Sequence, residues 1–240
     1  MRGLLATLLV SVVALTALSG CGTANSSNEP ELPALPPIQH DLGPVAYREL
    51  IGDTFELLNE YWNEQANRLG ETMPPPRALV SFWTRAQDKG CGGEKLGWQN
   101  AQYCWQNRTI AWDGNWVYGV LYRRLGDAAV AFLLGHEYGH MVQDELGVSS
   151  EFRHTIEAEL NADCLSGAWL GAVNDQVITF DRSDYESLYG GMLEVADAYG
   201  VPWTDPSAHG TAAQRGRALL FGARHGARAC INQLGPGFTA

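Results

Sequence analysis

Two histidines one helical turn apart, His136 and His140, enclose a glutamate in the run Leu133-Leu134-Gly135-His136-Glu137-Tyr138-Gly139-His140-Met141-Val142-Gln143. On a helix, residues i and i+4 share a face, so both imidazoles can reach one metal ion while Glu137 stands beside the coordination position they leave open. This H-E-x-x-H spacing is that of zinc hydrolases, with Glu137 the expected general base. A zinc ion with an open position needs a third protein ligand. Glu159-Leu160-Asn161-Ala162-Asp163 offers one in Glu159, with Asp163 on the same helical face. A histidine as third ligand would want Gly and His three and six residues after His140. The chain has Gln143 and Leu146 there, and His154 has no supporting neighbour. Two neutral imidazoles and one carboxylate leave zinc a net positive charge, which brings bound water towards a pKa of about 7 and polarises a carbonyl. Asp163 is expected to accept the remaining N–H of His136 and so fix its tautomer.

These side chains need helices to hold them. Asp127 reads as the N-cap of a helix through the His-Glu pair to Leu146, with Gly147 as its stop, and a second helix from about Thr155 to Val173 presents Glu159 and Asp163. Upstream, Tyr47, Leu50, Ile51, Phe55, Leu58 and Trp62 recur at helical spacing within Val45 to Leu69, and Gly70 closes that helix. Pro74-Pro75-Pro76 breaks the chain. Ala78 to Trp83, Gln102 to Trp105 and Thr109 to Trp112 read as strands, with a turn at Asp113-Gly114-Asn115. Four tryptophans lie between Trp98 and Trp116, available for core packing or for lining a cleft beside an edge strand. An apolar-periodic helix from Tyr185 to Tyr199 and a last one over residues 214–228, broken at Gly222, complete the reading. The expected fold class is α+β, mostly helical, with a small antiparallel sheet ahead of the H-E-x-x-H helix.

Arg2 followed by the apolar run Leu4 to Leu18 has the charged start and short core of a secretory signal, and Leu18-Ser19-Gly20-Cys21 resembles a lipobox, in which the cysteine becomes the lipidated first residue. Residues 1–20 are thus expected to be a lipoprotein signal peptide and residues 21–44, rich in proline, a lipid-anchored tether. Residues 45–240 form the folded domain. The formal charge is −11, and loss of Arg2 with the leader makes it −11 − 1 = −12. Without any basic block, this balance argues against nucleic acid and against electrostatic adhesion to anionic lipid. Five cysteines divide naturally if Cys21 carries lipid. Of the three pairings open to the other four, Cys91 with Cys104 and Cys164 with Cys230 are favoured, the first stapling the sheet region and the second tying the ligand helix to the C-terminal segment.

His136 to Gln143, Glu159 to Cys164 and His209-Gly210-Thr211-Ala212-Ala213-Gln214-Arg215, in that order, together resemble the bacterial neutral zinc metallopeptidase family. The resemblance covers about residues 80–232. It implies a zincin-like domain with a gluzincin-type site, zinc as cofactor, and a peptide or protein substrate. Met141 stands where that family commonly has a second histidine, and Ala212-Ala213 departs from its more usual Ser-Glu-like pair. His209 and Arg215 carry two readings. They are donors to the oxyanion that develops as water attacks, or else Arg215 ties helices by a salt bridge while His209 caps the turn before the last helix. The expected function is zinc-dependent peptide-bond hydrolysis outside the cytoplasmic membrane, anchored to it by lipid. A zinc-binding lipoprotein without turnover, serving as a binding or assembly factor, and a cell-wall peptide amidase are the alternatives.

Overall fold

The computed structural model describes residues 32–177 and 179–232. The expected leader, Cys21 and the first part of the tether lie outside the described residues. From Leu32 the chain forms one unit. Its first element is not a free tether: β1 (Ile38–Gln39) pairs with the sheet, and Asn59 Nδ2 donates to Pro33 O at 2.9 Å. Apolar Ile38 has a pleated neighbour to cover, which the proline-rich composition around it obscured.

Helix α1 (Val45–Leu69) buries Tyr47, Ile51, Phe55, Leu58, Trp62 and Ala66 along one stripe, and Gly70 ends it in a left-handed conformation at φ 76°. Strands β2 (Ala78–Phe82), β3 (Ala101–Cys104) and β4 (Thr109–Asp113) join β1 in the order β1-β2-β4-β3. The sheet is mixed, not antiparallel. Only the β3–β4 hairpin, Ala101 opposite Trp112 through Cys104 opposite Thr109, is antiparallel; β1–β2 and β2–β4 run parallel. The cause is the long connection of residues 83–100, which carries the chain past β2 so that β4 returns beside it in the same direction. Every residue of β4 is buried, as a strand covered on both faces requires.

That connection is built around Asp88, whose carboxylate accepts from Leu96 N at 2.8 Å, Gly97 N at 3.1 Å and Gly90 N at 3.2 Å. The Cys91–Cys104 disulfide fastens it to the end of β3. Asp113 then accepts from Asn115 N and Trp116 N and starts the turn α2 (Gly114–Trp116), which runs into a π-helix, Val117–Leu125. The expected turn at Asp113-Gly114-Asn115 is therefore a helix start.

Helix α3 (Asp127–Glu145) carries the H-E-x-x-H run. Asp127 is its first residue and not its cap. The N–H of Ala129 is satisfied by Ser187 Oγ at 2.9 Å, brought from another helix. After a 3-10 turn at Val148–Glu151 come α4 (Thr155–Gln176), longer than expected, and α5 (Arg182–Glu194), shorter than expected. Helix α6 (Ala212–His225) is capped by Thr211 and followed by α7 (Ala227–Asn232). Among the described residues no helix is long and apolar enough to cross a membrane.

Two glycines let the helices approach closely enough to share a site. A Cβ on Gly139 of α3 would stand 2.9 Å from Ala162 O of α4. Gly222, expected to break the last helix, lies inside α6, where a Cβ would fall 1.8 Å from Cys164 O and 2.8 Å from Ala168 N. It is a contact point, and its missing side chain is what seats α6 on α4. Gly222→Ala should therefore cost at least about 1–3 kcal/mol through overpacking. Guanidinium unfolding of the oxidised protein measures this, and an unchanged midpoint would show that the two helices can part freely.

Candidate metal centre

Helix α3 aims His136 and His140 at the same point, and α4 brings Glu159 to meet them. His136 Nε2 lies 3.1 Å from His140 Nε2 and 3.2 Å from Glu159 Oε2, while His140 Nε2 lies 3.4 Å from Glu159 Oε1. Ligand atoms held tetrahedrally at the usual zinc distances stand about 3.3 Å from one another, so this donor set fits zinc without rearrangement. His136 is buried and Glu159 nearly so, and the centre opens into a cavity of about 690 Å³.

Asp163, fully buried, is shared by two partners. His136 donates from Nδ1 to its Oδ1 at 2.9 Å, which leaves the Nε2 lone pair for metal. Arg215 of α6 grips the same carboxylate from the other side, Nε to Oδ2 and Nη2 to Oδ1, both at 2.9 Å, and its Nη1 donates to Val195 O at 2.9 Å. The guanidinium is 2 % exposed and lies over the Phe132 ring. Of the two readings of Arg215, the structure shows the tie between helices: the group grips Asp163, at the wall of the cavity.

Burial works against a charged His136, but the Asp163 carboxylate and hydrogen bonds from Asp163 and Glu159 outweigh it and push the imidazole up to about 10. Burial alone would raise Glu159. The His140 and His136 imidazoles instead hold it well below the usual carboxylate range. Protons and a metal ion thus compete for the same nitrogens, and zinc binding must release protons.

Glu137, buried one residue on from His136, has its Oε2 held by the N–H of Tyr103 at 2.7 Å. Tyr103 belongs to β3, so the sheet edge and the expected base are in direct contact. The cavity is bounded by residues Gln99 to Tyr103 and Trp105 on the strand side, by α3, and by Glu194, Val195 and His209. His209 is half exposed on that wall; its N–H and that of Gly210 donate to Asp197 Oδ2 at 2.6 and 2.8 Å. Thr211, not His209, caps α6. The tryptophans divide: Trp112 is core, Trp116 and the 66 % exposed Trp105 line the cavity, and Trp98 lies outside it under Arg85. His154, which is not among the donors, is half-buried and packs on Trp203.

The second disulfide, Cys164–Cys230, joins α4 to α7 directly beside Asp163. One residue escaped notice in the sequence. Gln143, on the same face as His140 and one turn beyond it, reaches the outer nitrogen of that ligand. Its i, i+3 relation to a ligand histidine was the signal available.

A family profile described as "Putative neutral zinc metallopeptidase" matches residues 46–234. Two curated relatives, both named uncharacterized protein YpfJ, come from Escherichia coli K12 and Escherichia coli O6:H1. Each is 25% identical over 176 residues, a match that takes in 64% of this chain and 60% of the relative's own length. No solved structure matches significantly.

The converging donors predict one zinc per chain. His140→Ala should abolish tight binding, because a two-ligand remnant cannot compete with solvent or chelator. Elemental analysis after dialysis reads the result, and an undiminished zinc content would discard this donor set.

Proposed function

The chain belongs to the neutral zinc metallopeptidase family, and from that premise we propose that it hydrolyses peptide bonds in the cavity between β3 and α3. The observation that carries this reading is Glu137: a carboxylate with no ligand to orient, held by a backbone N–H of β3 in the same cavity as the three donors. A site that only stored metal would have no use for it. His136, His140 and Glu159 would hold zinc, which would polarise the scissile carbonyl and acidify a water towards a pKa of about 7.

The remaining work falls to the chain's own residues. Glu137 takes the proton of the attacking water and returns it to the leaving amine. The Tyr103 N–H keeps its carboxylate aimed while it does so. Strand β3 pairs with β4 on one side only. Its residues Ala101 to Tyr103 line the cavity, so an extended peptide can lie along them beside the Tyr103–Glu137 contact, with Trp105, Trp116 and Leu133 as apolar lining. His209, on the cavity wall with its Nδ1 3.6 Å from Asp197 Oδ1, is in this reading the donor to the oxyanion.

The same reading places the domain outside the cytoplasmic membrane, anchored through Cys21. What supports this is that the four remaining cysteines are all paired, a state that persists in oxidising compartments.

Glu137→Gln should keep its zinc and lose turnover by several orders of magnitude, since the amide retains the contact geometry and cannot accept the proton. The assay sets residues 22–240, oxidised and zinc-loaded, against a mixed peptide library with the variant alongside. Cleavage by both proteins, or by neither while zinc is bound, would count against the assignment, and the second outcome would turn attention to cell-wall peptide or to a binding role. Cys21→Ala should release the protein from membranes; a variant that still pellets with them would contradict the lipid anchor.

A further inference from the structure

Beyond the ligands and the Asp163–Arg215 pair, a third tightly held polar group at the centre is the side chain of Gln143, 2 % exposed. Its Oε1 lies 3.0 Å from His140 Nδ1, and its Nε2 lies 2.8 Å from Ala158 O and 3.0 Å from Asn161 Oδ1. Asn161, 1 % exposed, in turn places Nδ2 2.9 Å from Cys230 O. Which end of each amide faces which neighbour follows from chemistry, because a backbone carbonyl can only accept. Ala158 O therefore requires the NH2 of Gln143, which leaves Oε1 towards His140. Cys230 O likewise requires the NH2 of Asn161, which leaves Oδ1 to take the second Gln143 hydrogen. With Oε1 accepting, His140 must carry its proton on Nδ1, and its Nε2 lone pair points to Glu159 and His136.

We propose that Gln143 is a positioning residue for zinc: through a chain of neutral amides anchored on the carbonyls of Ala158 and Cys230, it fixes the tautomer and ring plane of His140 and so sets metal affinity. The two ligand histidines are then oriented by unlike devices. His136 is held by an ion pair, Asp163 with Arg215, and His140 by amides that carry no charge. The amide chain ends on α7, whose Cys230 is clamped to α4 by the Cys164–Cys230 disulfide. The inference rests on the zinc donor set and not on peptide hydrolysis.

The test uses the full oxidised chain, with zinc affinity read by competition against a chromophoric chelator and site geometry read from the visible spectrum of the cobalt(II) form. Gln143→Leu, which removes the acceptor, should weaken zinc by about 10–100-fold and alter the cobalt bands. Gln143→Glu keeps the acceptor towards His140 while losing the donor towards Ala158, and should hold zinc about tenfold more tightly than the leucine variant. A residue that mattered only for packing would rank the two the other way or alike, because a buried carboxylate facing a carbonyl disturbs the fold more than an apolar side chain does. Equal weakening of both, or wild-type affinity and cobalt spectrum in Gln143→Leu, would overturn the inference while leaving the donor set intact. A wild-type chain that takes up no zinc would overturn the donor set, and this inference with it.

Discussion

A single buried carboxylate governs this molecule. Asp163 has no access to solvent, and an ionised carboxylate in that position is tolerable only when its charge is matched and its lone pairs are filled. Arg215 supplies two of the required hydrogen bonds and His136 a third. Those partners come from α6 and α3, while Arg215 also reaches the end of α5 through Val195 O. Four helices are thereby held to a geometry fixed to tenths of an ångström, and the small residues at their crossings follow from it. Gly139, Gly167 and Gly222 are where side-chain bulk would push α3, α4 and α6 too far apart for these bonds to close.

The charge pattern around the centre has the same economy. Arg215 offsets Asp163, and Gln143 and Asn161 are neutral. Glu159 is the one anionic member of the donor set, and Glu137, Asp144 and Glu194 are the other carboxylates on the cavity. A metal ion seated there keeps most of its pull on a water or a carbonyl, which a carboxylate in place of Gln143 would diminish. On the other wall, β3 is paired with β4, stapled at Cys104, and joined to Glu137 through Tyr103 N–H.

Much of this was legible in the chain. The spacing of His136 and His140, the E-x-x-x-D face of α4, the span of α1 with Gly70 as its stop and the pairing of cysteines all follow from local periodicity or from simple arithmetic. Elements that depend on distant partners were not. The π-helix at Val117–Leu125 begins where Asp113 and Gly114 look like a turn. The cap on α3 comes from Ser187 on a helix remote in sequence. Parallel pairing of β2 with β4 is a property of the long connection between them, which has no pattern of its own. Gly222 reads as a breaker because intrinsic propensity is local, while the backbone contact that demands it is on α4. Arg215 had two roles on paper, and only the arrival of α6 beside Asp163 separates them.

The order of these parts along the chain separates the donors from what orients them. The three zinc donors precede Arg215 and Cys230 in sequence, so the centre is complete only with α6 and α7 in place, the second reaching it through the Cys230 carbonyl. A product cut short before α6 would carry the full H-E-x-x-H run and Glu159 yet lack both the ion pair and the Cys230 carbonyl. Such a fragment would keep the letters of the metal site and lose the groups that orient it: α6 and α7 act as the safety catch of the centre.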